Sequence, residues 1–344
     1  MGGLRALLRH LLESHISMTE QQAHELFSEI LDGRATDVEI AAVLAALAQR
    51  GETADEIVGL VRAMRERILP LPLTDVERQK LVDTCGTGGD SSGTFNISTA
   101  AALVAAAAGA SVAKHGNRAV TSNCGSADVL EALGVPVDLS PDAAVACLRA
   151  TGFVFLHAPL SHPAMRRVQP VRRALGFRTL FNLAGPLTNP AGASAQVMGV
   201  YSVEKVPLLA EAMLRLGVRH GLVVHGADGL DELTVSAATS IAEVRNGSLR
   251  SYQVRPEDCG LDCTPPDALR GGETVAENAA ILERILRGEA SPGRDVVALN
   301  AAAALVVAGL VPDLRHGVEQ ASHALSSGAA HATLETLRGF AGDL

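Results

Sequence analysis

The stretch CGTGGDSSGTFNIST, residues 85–99, joins the strand-like LVD at 81–83 to the alanine-rich run AAALVAAAAGA at 100–110. This order predicts a strand, a glycine-rich loop and a helix. Glycines let backbone N–H groups approach an anion closely, and a following helix adds the positive end of its dipole. A plain turn followed by a helix cap has the same composition. The stretch lacks the Gly-Lys-Ser/Thr of a Walker loop and is not a clean dinucleotide fingerprint.

From about residue 80 onward, short apolar strands alternate with longer helical patterns. FVFLHAPL at 153–160 and GLVVHGADG at 221–229 read as strands that end in polar loops, and EKVPLLAEAMLRLG at 204–217 reads as a helix. This alternation predicts an α/β sheet covered by helices. Active sites in such sheets lie beyond the carboxyl ends of the strands. We therefore expect the loops at 85–94, 114–126 and 225–232 to converge.

The first seventy residues have a different, purely helical pattern. Capping boxes begin at Thr19, Thr36 and Thr53, each with Glu or Gln three residues later. Apolar residues follow at helical spacing, and LPLPL at 69–73 is a plausible link to the next part. We expect a small helical domain over residues 1–75 and an α/β domain over residues 76–344.

Composition and charge limit the classes of function. The chain of 344 residues has a net charge of −9, no Trp and few other aromatic residues, which argues against a nucleic-acid groove. The five cysteines, at 85, 124, 147, 259 and 263, form no disulfide framework or zinc motif. No signal peptide is recognised, and the apolar runs at 100–110 and 301–311 are too short to cross a membrane. We expect a cytoplasmic protein.

A second polar segment, AKHGNRAVTSNCGS at 113–126, follows an apolar run. Lys114, His115, Asn117 and Arg118 supply four strong hydrogen-bonding side chains around one glycine. Single Lys and Arg residues are usually solvated surface charges. Their concentration after a predicted strand favours binding of a di- or polyphosphate ester.

The segment DGLDELT at 228–234 places acidic residues after another predicted strand. Asp228, Asp231 and Glu232 are compatible with an ordinary acidic turn. Adjacent carboxylates are also the ligands that Mg²⁺ takes together with water and substrate phosphates.

A fourth segment, SHPAMRRVQPVRRALGFRTLFNLAGPLTNP at 161–190, concentrates positive charge in an acidic protein. The adjacent Arg172 and Arg173 allow one guanidinium to point inward and grip a carboxylate with two hydrogen bonds. The alternative is a helix face with solvated arginines, which we accept for Arg167 and Arg173.

Together these segments resemble the anthranilate phosphoribosyltransferase family of tryptophan biosynthesis. GTGGD, TFNIST, KHGNR, HPAM, RTLFNLAGPLTNP and DGLDE occur in the family's order, and the similarity runs over nearly the whole chain. The resemblance implies a nucleoside phosphorylase/phosphoribosyltransferase-like fold: a small helical domain, which takes helices from about 165–185, and a larger domain with a mainly parallel sheet. It also implies a homodimer, Mg²⁺, and transfer of a phosphoribosyl group from phosphoribosyl pyrophosphate to anthranilate.

The resemblance further implies roles for individual residues. The expected phosphoribosyl pyrophosphate contacts are Gly86, Gly89, Asp90, Thr94, Asn96, Ile97, Ser98, Thr99, Lys114, His115, Gly116, Asn117, Arg118, Ala119, Val120, Thr121, Ser122 and Ser126. The expected anthranilate contacts are Gly86, Asn117 and Arg172, and the residues expected along its path are His115, His162 and Pro186. The expected Mg²⁺ ligands are Ser98, Asp231 and Glu232. No residue is assigned as a general acid or base, because anthranilate's aromatic amine is already unprotonated at neutral pH.

Two departures and two alternatives accompany this interpretation. Cys124 stands where the family commonly has a small residue, and Ser161 stands where it often has an aromatic residue. The nearest alternative is a pyrimidine nucleoside phosphorylase of the same fold, which KHGNR and the paired acidic residues disfavour. The other is a non-catalytic relative that binds nucleic acid, which the acidic charge disfavours.

Overall fold

A computed structural model describes residues 7–9, 11–12, 16–119 and 124–342 of the chain. Its first part contains three consecutive helices, α1 (Glu20–Leu31), α2 (Asp37–Arg50) and α3 (Ala54–Arg65). Each begins after the predicted threonine, with both hydrogen bonds of the capping box formed. The prediction of helices from Thr19, Thr36 and Thr53 is confirmed.

The rest of the chain alternates strands and helices. The helices are α4 (Asp75–Lys80), α5 (Ile97–Ala107), α6 (Ser126–Ala132), α7 (Pro141–Thr151), α8 (Ala158–Ser161), α9 (Gln169–Leu175), α10 (Leu180–Ala184), α11 (Lys205–Arg215), α12 (Val275–Leu286), α13 (Pro292–Ala308), α14 (Leu314–Ser326) and α15 (Ala329–Gly342). The strands are β1 (Leu81–Asp83), β2 (Ser111–Gly116), β3 (Phe153–His157), β4 (Ala195–Gly199), β5 (His220–Gly226), β6 (Thr239–Arg245) and β7 (Ser248–Val254). Short 3₁₀ turns lie at Pro163–Arg167, Gly185–Leu187, Pro256–Cys259 and Pro266–Leu269.

The strands form one sheet in the order β3-β2-β1-β4-β5-β6-β7. The pairs from β3 to β5 are parallel, whereas β6 pairs antiparallel with both β5 and β7. The predicted α/β class and mainly parallel sheet are confirmed. Because β1, β2, β4 and β5 run in the same direction, the loops after their carboxyl ends lie at one edge of the sheet.

The two faces of the sheet belong to two apolar cores. Val197 and Leu222 pack with α5 and α13 in one core, whereas Met198 and Val223 pack with the helices of residues 20–65 in the other. Successive strand residues point to opposite faces, so this alternation is expected. The second core also contains Val168, Val171 and Leu180, from the segment around 165–185. The domain boundary at residue 75 stays a prediction. Among the described residues, no helix is both long and apolar enough to span a bilayer.

Candidate active site

The glycine-rich loop after β1 lies directly against the end of β4. The Thr87 N–H donates to the Gly199 carbonyl at 2.9 Å. A Cβ built at Gly86 would lie 2.7 Å from that carbonyl oxygen, and one built at Gly199 would lie 1.5 Å from the Asp231 carbonyl oxygen. The backbones at Gly86, Gly199 and Asp231 therefore lie too close together for a side chain at either glycine. This close packing holds the loops after β1 and β5 against β4.

The loop turns at two glycines in the left-handed region, Gly88 at φ +64° and Gly89 at φ +83°. Asp90 follows them, and its carboxylate accepts hydrogen bonds from Ser92 N at 3.1 Å and from Asp231 N at 3.2 Å. The second bond connects residues 141 positions apart. The structure thus brings together two loops that we predicted to converge.

Helix α5 begins beside this loop without a side-chain cap. The Asn96 amide instead donates to the Cys124 carbonyl at 3.0 Å, and its buried Oδ1 has no hydrogen-bond partner among the described residues. Ser98, in the first turn, lies beside the Glu232 carboxylate, and its hydroxyl and backbone N–H oppose the rise in the pKa of that group. A carboxylate therefore occupies the positive end of the helix dipole, as the dipole favours.

Three carboxylates crowd together at this point. Burial raises the pKa of Asp231 well above its usual range, and the negative charges of Asp90 and Glu232 raise it further. Burial also raises the pKa of Glu232 to about 7, although Lys114 and Ser98 oppose this. Like charges confined in a poorly hydrated place disfavour ionisation. A divalent cation would remove that repulsion.

Lys114 is the buried cation of the site. Only 2% of it is exposed, and its Nζ lies 2.9 Å from the Thr84 carbonyl oxygen and 3.2 Å from Ser98 Oγ. The ammonium thus joins the end of β1 to the start of α5. Its position beside an acidic cluster suits a ligand that carries several negative charges.

Two predicted residues form a buried pair of imidazoles. Nε2 of His115 lies 3.2 Å from Nε2 of His162. Burial lowers the pKa of His162 to about 4 and, together with the charge that His162 carries when protonated, lowers the pKa of His115 well below its usual range. Both rings are therefore neutral at pH 7.

The acceptor residues lie apart from this cluster. The Arg172 guanidinium contacts Asn182 at 3.4 Å and lies 5.5 Å from the ring centre of Phe181. Burial lowers its pKa, and no carboxylate among the residues that the structure describes pairs with it. The Pro186 carbonyl accepts a hydrogen bond from Gln196 at 2.8 Å. A partly buried guanidinium without an anionic partner suits a carboxylate ligand.

Most of the expected phosphoribosyl pyrophosphate contacts between Gly116 and Ser126 divide into three groups. Ser126 donates to the Asn117 carbonyl at 3.2 Å, next to Gly116, so these three lie together. Arg118 instead faces outward and forms ion pairs with Asp128 at 3.2 Å and Glu131 at 2.7 Å. Val120, Thr121 and Ser122 lie outside the described residues.

Three further expected phosphoribosyl pyrophosphate contacts have different hydrogen-bonding surroundings. Thr94 bonds Ser92 through the two hydroxyl groups at 3.2 Å. The buried Thr99 hydroxyl has no hydrogen-bond partner within the described ranges of the chain, and the Ala119 N–H donates to Asp128 at 2.9 Å. These positions are compatible with ligand binding, and the assignments stay predictions.

Sequence reasoning missed the residues that hold the loops in place. Gly199 ends β4, and Gln196 donates to both the Cys85 and the Pro186 carbonyls. Asp228 caps its own turn by accepting from Thr234 Oγ1 at 2.6 Å, which explains why it belongs to the turn and not to the acidic cluster. The sequence suggested that Asp228 belongs to the acidic cluster only because it lies three residues before Asp231.

Comparison with known proteins identifies relatives over the full length. Residues 78–331 match the model of the glycosyl transferase family, a/b domain, and residues 5–68 match its helical bundle domain. Anthranilate phosphoribosyltransferase of Symbiobacterium thermophilum is 52% identical over 337 residues, covering 98% of this chain and 97% of that protein. The Brevibacillus brevis enzyme is 50% identical, covering 98% of each chain.

Solved structures agree with the sequence comparison. The anthranilate phosphoribosyltransferase of Thermus thermophilus superposes with a TM-score of 0.91 at 45% identity, covering 99% of this chain and 100% of that one. The enzyme of Saccharomyces cerevisiae in complex with PRPP and Mg superposes with a TM-score of 0.88 at 28% identity, covering 99% and 98%. Fold and sequence therefore point to the same relatives.

Proposed function

The chain belongs to the anthranilate phosphoribosyltransferase family, and we propose that it transfers the phosphoribosyl group of phosphoribosyl pyrophosphate to the amine of anthranilate. The products are N-(5-phosphoribosyl)anthranilate and pyrophosphate, and the reaction belongs to tryptophan biosynthesis. The observation that carries the proposal is the crowding of Asp90, Asp231 and Glu232 beside Lys114 and the start of α5.

The oxygen-rich cluster fits Mg²⁺. Asp231, Glu232 and the Ser98 hydroxyl would hold the ion, and a cation there would relieve the repulsion that raises the pKa values of both carboxyls. Mg²⁺, when bound with the substrate, neutralises charge on the pyrophosphate leaving group. The same ligand set has no thiol or imidazole, which agrees with a hard cation.

The chain's own groups act on both ends of the donor. Lys114 and the glycine-rich loop offer an ammonium and backbone N–H groups to phosphate oxygens, where charge develops as the C1–O bond breaks. The acceptor nitrogen forms the new bond to C1 and then loses a proton. Its lone pair is free beforehand, so no strong base is needed for attack.

Arg172 is the group that we assign to the acceptor carboxylate. Its guanidinium lies near the Phe181 ring and lacks a carboxylate partner among the described residues. A planar guanidinium can donate two parallel hydrogen bonds to a carboxylate and so fix the orientation of the amine. His115 and His162, both neutral, would orient substrate along the path without acting as bases.

We also propose that two copies associate through the helical domain of residues 1–75 together with the segment around 165–185. Exposed apolar side chains support this: Val38 is 79% exposed, and Leu69 and Phe177 are exposed as well. Burial of such side chains against a second copy would remove apolar surface from water. Light scattering of the purified chain tests the dimer. A cytoplasmic location stays a proposal, which fractionation of the source cells tests.

The activity itself is tested by mixing the protein with Mg²⁺, phosphoribosyl pyrophosphate and anthranilate and following the loss of anthranilate fluorescence. Omission of Mg²⁺ should stop that loss. Incubation with phosphate and thymidine or uridine tests the phosphorylase alternative and should give no free base. Unchanged anthranilate fluorescence at high protein concentration would contradict the proposal.

A further inference from the structure

We propose that Asp83, Cys85 and His115, here named the Asp83 cluster, bind a thiophilic divalent cation such as Zn²⁺. This site is distinct from the carboxylates assigned to Mg²⁺. One consequence, inhibition of the transferase by zinc, rests on the proposed function, whereas the binding itself does not.

The geometry of the cluster brings three kinds of ligand together. One ligand atom from each of the three residues lies within 4.8 Å of the others. Asp83 ends β1, Cys85 follows it by two positions, and His115 lies near the end of the neighbouring strand β2. A tetrahedral zinc site has ligand bonds of about 2.0–2.3 Å, so metal binding would draw these side chains slightly closer together.

Two acceptor atoms in the cluster are buried and have no hydrogen-bond partner in the part of the chain that the structure describes. They are Asp83 Oδ2 and His115 Nδ1, and their residues are only 1% and 4% exposed. The other carboxylate oxygen of Asp83 accepts from the His115 backbone N–H at 3.1 Å, which fixes the carboxylate beside β2. Buried acceptors without donors are unfavourable, and one cation would satisfy both.

The tautomer of His115 also suits metal binding. Nε2 of His162 faces Nε2 of His115 at 3.2 Å, and the Thr188 backbone lies beside the His162 ring. In one tautomer of this pair, His115 Nε2 donates and His162 Nε2 accepts. The lone pair of His115 then lies on Nδ1. Metal-binding histidines typically have their second nitrogen fixed in this way.

Lys114 and His115 are adjacent on β2, so their side chains point to opposite faces of the sheet. Lys114 contacts Thr84 and Ser98, on the side assigned to phosphate and Mg²⁺. His115 instead faces His162. The Asp83 cluster therefore shares no residue with the ligands assigned to Mg²⁺.

The ligand chemistry separates the two cations. A thiolate, a carboxylate and an imidazole suit Zn²⁺, whereas Mg²⁺ takes oxygen ligands. Burial and the Asp83 charge raise the pKa of the Cys85 thiol, so the free protein holds the proton there. Zinc would replace that proton, which leaves to solvent, and the two anionic ligands would balance the metal charge. Cys85 is only partly buried, which gives an entry path from the loop side.

The proposal is tested first by a binding measurement that does not depend on catalysis. The full chain is titrated with Cd²⁺ alone, and the ultraviolet charge-transfer band of the cadmium–thiolate bond is followed. We expect one equivalent per chain, displaced by Zn²⁺ and unaffected by millimolar Mg²⁺. Cys85→Ala should lose the band, whereas Cys124→Ala, which removes another partly buried thiol outside the cluster, should keep it. Absence of a band in the wild type, or an equal band in Cys85→Ala, would overturn the proposal.

Activity supplies the second measurement. Because His115 is expected both to contact phosphoribosyl pyrophosphate and to line the anthranilate path, zinc bound to it should inhibit the transferase. Cys85→Ala should need at least tenfold more zinc than the wild type for half inhibition, when each protein is compared with its own zinc-free activity. If that variant misfolds by circular dichroism, Cys85→Ser replaces it. A cadmium band in a chain without transferase activity would refute the proposed function but not the metal site. Equal zinc sensitivity of wild type and variant would refute the link between this metal site and inhibition of the transferase.

Discussion

The molecule holds carboxylates at opposite ends of its sheet, buried at one end and half-buried at the other, and their surroundings shift the pKa values in opposite directions. Glu243, only 2% exposed, accepts hydrogen bonds from His220 at 2.9 Å, Arg250 at 2.7 Å and Tyr252 at 2.9 Å. These partners outweigh burial and lower its pKa to about 2. Asp231 and Glu232, at the other end, have raised pKa values and acidic neighbours. A carboxylate with several hydrogen-bond donors around it stabilises the fold. Carboxylates that lie beside other carboxylates are instead suited to bind a cation.

The largest expected effect comes from removal of the Asp231 and Glu232 carboxylates. Asp231→Ala combined with Glu232→Ala should lower kcat/KM by about a thousandfold or more, since it removes the ligands assigned to Mg²⁺. The free energy of unfolding should change by no more than about 0.5 kcal/mol, because the lost carboxylates repel each other. Steady-state kinetics and urea denaturation measure the two quantities. Near wild-type activity of this variant at limiting Mg²⁺ would show that the two residues only form an ordinary acidic turn.

The opposite result is expected at Glu243. Glu243→Ala should lower the free energy of unfolding by about 3 kcal/mol, the lower end of the range for breaking a buried ion pair, because it leaves Arg250, Tyr252 and His220 without their acceptor. Activity per folded molecule should be unchanged, since the residue lies at the far end of β6 from the candidate site. Denaturation midpoints with active-site titration check both parts. A loss of kcat without a loss of stability would contradict the assignment of Glu243 to the fold and not to the active site.

The pH dependence sharpens the same contrast. The folded pKa of Glu243, about 2, lies below its usual 4.5, so its stabilisation is present above pH 4.5 and is lost as the pH falls towards 2. From pH 7 to pH 3, wild type should lose about 2 kcal/mol more unfolding free energy than Glu243→Gln. Urea unfolding of both proteins across this range measures the difference. Parallel curves would show that Glu243 is not the acid-sensitive group.

Arg172 is expected to have a smaller and one-sided effect. Arg172→Ala should raise the KM for anthranilate roughly ten- to a hundredfold, since a hydrogen bond to a charged group contributes about 1.5–3 kcal/mol. The KM for phosphoribosyl pyrophosphate should hardly change. Arg173→Ala, the adjacent arginine assigned to the surface, is the matched control. Equal effects on both substrates would assign Arg172 to the phosphate side or to structure.

The two histidines should show the smallest effect. His115→Asn and His162→Asn should each keep kcat within about tenfold, because both rings are neutral at pH 7 and the acceptor amine needs no base. The profile of kcat against pH at saturating substrates is the measurement. A loss of about 10²–10⁴-fold, with disappearance of a limb near the histidine pKa, would identify a general base.

Local patterns predicted the helices and the strand–loop–helix units, because their causes lie within a few residues. Thr36 and Glu39 cap α2 as their spacing predicts. The antiparallel β6 and β7 were not anticipated, since Glu243 and its partners look like ordinary polar residues in the sequence. The bond from Asp231 to Asp90, across 141 positions, depends on sheet order and has no local signal. The same is true of Arg118, whose partners Asp128 and Glu131 appear only in three dimensions.

The backbone junction at Gly86 and Gly199 bears on which substitutions a saturation library of this protein would tolerate. Both positions should reject even alanine, because the added methyl would overlap a carbonyl oxygen whatever the backbone angles. At Gly88, an added methyl meets nothing within 4 Å, but φ is +64°. Asparagine, which tolerates that conformation, should be recovered there and excluded at the other two. Substitution profiles would thus distinguish a glycine required for space from one required for backbone shape.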